Sequence, residues 1–191
     1  MFGLIGRKVA DGARRLTAGR ALGRLVRQQD GAVAVEFGFV AAPFLALVFA
    51  IVETALVFFA GQTLETAVSD SARLIMTGQA QTASPKAFDA TAFKTAVCDR
   101  IYGLFDCKGG LYVDVQSFSS FASVTNTSPV DKNGNFTPPN NYSPGGPGDI
   151  VLVRLFYQWP VYVSLLGLNL SNMGGNNRLL TATAVFRNEP Y

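Results

Sequence analysis

Gly31, Ala32 and Glu36 are the residues whose types and spacing could support chemistry, and it is chemistry performed on this chain rather than by it. They lie in Gly31-Ala32-Val33-Ala34-Val35-Glu36-Phe37, between a cation-rich N-terminal stretch and an apolar run that reaches Ala60. A carboxylate in a membrane-length segment is disfavoured, by about 2.5–3.5 kcal/mol at a helix centre and less near the interface. Glu36 therefore needs a partner. Three are open: a lipid headgroup, another side chain, or an amine made by cutting the chain after Gly31.

Other chemistry is scarce. The chain has no histidine, which removes imidazole general-base catalysis, Ser-His triads and most catalytic metal sites. Cys98 and Cys107 are its two cysteines. If they lie outside the cytoplasm, they read as a disulfide closing a short loop, since a metal site needs further ligands and a redox pair needs Cys-x-x-Cys spacing. Asp131-Lys132-Asn133-Gly134-Asn135 has oxygen-bearing residues at alternate positions, like a calcium loop. Its glycine falls at the fourth position instead of the sixth, and Tyr142 stands where the closing glutamate belongs. A tight turn at Asn133-Gly134 explains it better. Asp99, Asp106, Asp114 and Asp149 form no acid/base spacing and read as caps or turn formers. No cofactor and no metal are expected.

The elements that must position Gly31 and Glu36 follow from charge and hydropathy. Before residue 31 there are seven cations against Asp11 and Asp30, which leaves nine basic and eleven acidic groups for the remainder. The net charge of +3 is thus a property of the leader. It is no nucleic-acid signal, because the rest lacks a basic stripe interleaved with aromatics. No apolar run precedes Gly31, so the leader does not read as a secretory signal. Its cations place it in the cytoplasm and everything after Ala60 on the far side. Phe37 to Ala60, at about 1.5 Å per residue, covers roughly 36 Å, enough for a hydrocarbon core of about 30 Å. Pro43 lies inside this run, where membrane helices tolerate it.

Ala34, Gly38, Ala42, Ala46 and Ala50 recur every fourth residue, a small-residue stripe along which helices can approach closely. Glu53 interrupts the apolar run and must be protonated, bonded to a neighbouring helix or brought near the interface by tilt. Beyond the membrane, Leu64, Ala67, Val68, Ser71, Ala72 and Ile75 keep helical spacing, so one helix is expected from about Val33 to Thr77, stopped by Gly78. Ser84-Pro85 reads as the start of a second helix that turns Phe88, Ala92, Ala96 and Ile101 inward. Strands are expected at Leu111 to Phe118, Ile150 to Trp159 and Arg178 to Arg187, with a short helix or turn near Val161 to Leu168. Residues 122–149, rich in Pro, Asn, Gly and Ser, read as a surface excursion or as a missed short element. The 191 residues and 20.4 kDa hold one anchor and one modest core. The expected fold is α+β, with a single N-terminal transmembrane helix that continues as a long amphipathic helix packed on a small antiparallel sheet. The division is 1–31 as leader, 32–60 as membrane helix and 61–191 as outer domain.

Gly31 followed by Ala-Val-Ala-Val-Glu-Phe resembles the processing site of the tight-adherence (Tad, type IVc or Flp) pilins and pseudopilins. Ile51-Val52-Glu53, the stretch from Gln62 to Ser-Ala-Arg73, Thr77-Gly78-Gln79, the two cysteines and the closing Phe186-Arg187-Asn188-Glu189-Pro190-Tyr191 are similar to TadE-type pseudopilins. The resemblance implies a pilin-like fold, cleavage after Gly31 by a prepilin peptidase, and Glu36 as fifth residue of a mature chain starting at Ala32. It implies a minor subunit in the bacterial inner membrane, single-pass, with a periplasmic C-terminal domain and possible entry into the pilus. Its expected partners are the peptidase, other Tad pseudopilins and pilins, the inner-membrane assembly platform and the lipid bilayer. TadE is separated from its relatives TadF and TadG mainly by length. The rival from another class is an unprocessed membrane-tethered module that binds a ligand through its long loop. A tethered hydrolase using carboxylates is a distant third.

Overall fold

The computed structural model describes residues 31–101, 103, 105–162 and 169–191. Residues 1–30 of the leader, and residues 163–168 of the turn expected near Val161 to Leu168, lie outside the described residues. Contact density divides the chain into two compact units, Met1–Val48 and Phe49–Tyr191.

The first described element is helix α1, Ala32–Met76. Its composition explains it: Ala, Leu, Val and Phe fill the first part, and Pro43 lies within it. In the first unit its large apolar side chains face outward, among them Val33, Phe37, Phe39, Val40 and Phe44. Apolar surface of this extent is disfavoured in water and suits lipid. By length and composition, α1 is the one described helix able to cross a membrane.

In the second unit α1 becomes one-sided. Val57, Ala60, Leu64, Ala67, Val68, Ala72 and Ile75 are buried at three-four spacing, while Gln62, Glu65, Asp70 and Arg73 are exposed. The helix stops where expected: Gly78 takes φ of 76°, a conformation that side chains disfavour. Tyr191 fills the space that a Cβ on Gly78 would need, and the Glu189 N–H donates to the Met76 carbonyl at 2.8 Å. The closing residues of the chain are thus fastened to the end of α1.

A one-turn helix α2, Gln79–Thr82, follows. Helix α3 runs from Ala90 to Cys98 and does not begin at Ser84-Pro85, whose peptide is cis. Asp89 supplies the cap instead, accepting the Ala92 N–H at 2.9 Å, while the Phe88 N–H is already engaged by the Ala80 carbonyl. The helix buries Phe93 and Val97, with Ala92 and Ala96 half-buried beside them, while Phe88 before it packs against the core and Ile101 after it is buried in it, as expected. The short helix α4, Cys107–Gly110, leads directly into the sheet.

Strands β1 (Leu111–Phe118), β2 (Ile150–Pro160) and β3 (Asn177–Arg187) form an antiparallel sheet in the order β1-β2-β3. Because side chains alternate along a strand, each pairing register brings one set to α1. Leu111, Val115, Val151, Val153, Leu155, Leu180 and Ala182 join the core of α1 and α3. Burying a Leu or Val of this kind contributes about 1.5–3 kcal/mol. The fold is therefore the expected α+β arrangement, a membrane-length helix continuing onto a three-stranded sheet.

The opposite face of the sheet is covered too. Residues 119–149 contain a 3-10 turn at Phe121–Ser123, a bridge between Val130 and Phe136, and a parallel bridge between Tyr142 and Val115. Phe136 sits against Tyr112 and Phe156, with ring centroids 5.2 and 6.0 Å away. The segment is a strap on the sheet rather than a free excursion.

Candidate functional site

Gly31 and Glu36 stand at the N-terminal end of α1, both exposed. A Cβ on Gly31 would meet no described atom within 4 Å. No packing contact among the described residues accounts for this glycine. Glu36 lies just over one turn from the start of α1 at Ala32, and among the described residues it makes no ion pair or hydrogen bond. An amine at Ala32 would lie about 6 Å along the helix axis from it at 1.5 Å per residue, close enough for attraction in a medium of low dielectric.

The small-residue stripe has two environments. Ala34, Gly38 and Ala42 are exposed, and space is open around Gly38. Ala46 is half-buried and Ala50 is buried. Glu53 is only 8% exposed, and its Oε1 accepts the Tyr162 N–H at 2.5 Å. This acid is engaged by its own chain just past the end of β2, so that its burial comes with a hydrogen bond.

Cys98 and Cys107 form the disulfide, which ties the end of α3 to the start of α4. In the loop-entropy view, a closure of this length is worth on the order of 2–3 kcal/mol. It fixes the entry into β1.

The sequence reading overlooked a buried ion pair. Asp114 and Arg154 are direct partners across β1 and β2 on the strap side of the sheet, 0% and 3% exposed. Arg154 donates from Nε and Nη2 to Asp114 Oδ2 at 2.9 and 2.7 Å. The second carboxylate oxygen accepts from Asn141, and Gln116 donates as well. Arg154 Nη1 reaches the strap at the Asn126 side chain and the Thr127 carbonyl. Asp114 is thus neither a cap nor a turn former, because it pins the strap to the central strand. The available signal was an arginine inside an apolar strand, since buried charges are almost always paired. Asp106 and Asp149 do cap and turn, accepting the Gly109 and Gly146 N–H groups.

Asp131 accepts from the backbone of Asn133 and Asn135 and from the Asn135 side chain, and Gly134 takes φ of 80°. The Asn135 side chain, then its backbone, hold this carboxyl below its ordinary 3.8. The expected tight turn is therefore present. Asp89 is lowered first by the Ala92 N–H and then by Lys86, as suits an N-cap. Burial, followed by the charge of Asp89, pushes the Tyr142 phenol up to about 12. These shifts serve caps and packing. Among the described residues, no cluster of His, Cys, Asp or Glu could hold a metal ion.

Residues 31–73 match the family model described as TadE-like protein. The match starts at the candidate cleavage glycine and ends at Arg73, near the end of α1, and it fits a TadE-like protein of Tad pilus systems. No curated protein matches the chain, and neither does any solved structure.

Proposed function

We propose that this chain is a Tad pilus-associated, membrane-anchored pseudopilin, cut after Gly31 by a prepilin peptidase and acting through helix packing without catalysis of its own. The observation that carries the reading is the exposed start of α1, where a glycine that meets no described neighbour precedes Glu36 by five residues. Cleavage supplies the partner that the carboxylate lacks among the described residues. The new ammonium at Ala32 pairs with Glu36 of its own helix or of a neighbouring subunit. Charges that are costly unpaired in an apolar bundle fix register when paired.

The basic leader stays in the cytoplasm and the domain lies in the periplasm, as the positive-inside rule requires. Ala34, Gly38 and Ala42 then offer a close-approach surface to pilins, pseudopilins and the assembly platform. The division at residues 31 and 60 follows from the same reading. The rival, a tethered ligand-binding module, loses support because Phe136, Asn126 and Thr127 of the long segment are spent on covering the sheet.

Replacing Glu36 by Ala tests the assembly role in cells. Surface pili should be lost while the Cys98–Cys107 bond still forms, the latter read by mobility with and without reductant. Normal piliation would contradict the role given to Glu36.

A further inference from the structure

The flank of α1 changes character within a short distance. Leu56, Phe58 and Phe59 are exposed, Phe58 at 75%. One turn later the exposed residues are Gln62, Glu65, Thr66 and Ser69. On a helix that crosses a bilayer, this switch marks the hydrocarbon–water boundary.

A groove of about 530 Å³ opens at that level between α1 and β3. Val57 and Phe58 of α1, with Leu170, Leu179 and Leu180 opposite, form its apolar part, Glu65 stands on the helix wall, and Arg178 stands on the β3 wall. Arg178 donates Nη1 to the Leu170 carbonyl at 2.9 Å. Among the described residues, its Nε and Nη2 have no acceptor and it forms no ion pair with Glu65. The groove therefore holds a separated cation and anion above an apolar floor.

We infer that this groove binds the headgroup of a phospholipid from the leaflet on the domain's side, with its phosphate on Arg178 and its ammonium toward Glu65. A guanidinium with two spare donors suits phosphate. An ammonium with N–H donors, as in phosphatidylethanolamine, suits a carboxylate better than a quaternary choline does. The acyl chains continue along Phe58 into the layer that surrounds the first part of α1. One bound lipid would seat the domain at a fixed height on the membrane.

The inference rests on α1 crossing a bilayer, and not on cleavage or pilus assembly. The test is native mass spectrometry of the full-length protein, purified from membranes in mild detergent and titrated with phosphatidylethanolamine or phosphatidylcholine. One phosphatidylethanolamine should be retained per chain, and Arg178→Gln should weaken retention about tenfold, the loss expected for one charged hydrogen-bonding contact. Arg178→Lys should recover most of it, Glu65→Gln should erase the preference over phosphatidylcholine, and phosphoethanolamine without acyl chains should not displace the lipid. Tryptophan emission from Trp159 and an intact disulfide report that each variant is folded. Unchanged retention in Arg178→Gln, or displacement by phosphoethanolamine, would overturn the lipid site. A chain that fails to fractionate with membranes would instead overturn the anchor, and the lipid site with it.

Discussion

At the residue scale, two charged groups have opposite fates. Glu36 is exposed at the start of α1 with no described partner, whereas Asp114 is fully buried and saturated with donors. The first was legible because a carboxylate beside an apolar run is anomalous wherever the chain folds. The second was not, because pairing Asp114 with Arg154 requires the β1–β2 register, which no local pattern supplies. Breaking the pair should be costly: Arg154→Met leaves a buried carboxylate unpaired and should destabilise by about 3–5 kcal/mol. Asp114→Leu together with Arg154→Met should cost much less, since no charge is then stranded. Urea unfolding of the full chain in detergent, followed by Trp159 emission, measures both. Equal losses in the single and double variants would show that the pair does not act as a unit.

At the element scale, α1 was the most readable part. Its apolar length, its three-four spacing from Leu64 to Ile75 and the glycine at 78 each carry a local signal, and all three agree with the structure. The start of α3 was misread because Ser84-Pro85 and Asp89 both look like helix openings, and Asp89 is the one whose carboxylate reaches an N–H three residues on. The strap from 119 to 149 carried no periodicity, so its docking through Phe136 and Arg154 could not be foreseen. The junction between α3 and β1 depends on the disulfide. Cys98→Ser with Cys107→Ser should lower stability by on the order of 2–3 kcal/mol without removing the sheet. Thermal unfolding with and without reductant measures it. Reductant should shift the native chain and leave the double variant unmoved, and a double variant as stable as the native chain would contradict the account.

At the scale of the whole molecule, the sheet was legible in outline and the site only in part. Leu111 to Phe118 alternates cleanly and became β1 with those bounds. The meander order and the core around Leu64, Phe93 and Leu155 needed tertiary packing. The TadE-like match stops at Arg73, yet the closing residues return to that helix end, where Tyr191 covers Gly78 and Glu189 bonds to Met76. Residues 189 and 191 and the end of α1 are thereby mechanically joined. What distinguishes the proposed pseudopilin from a plain tethered domain is the proposed cut after Gly31. The direct measurement is the intact mass of the membrane-bound protein from cells that contain the peptidase. A mass lacking Met1 to Gly31, with Ala32 as the first residue, is the result predicted here; a chain that keeps its leader in those cells would contradict the account.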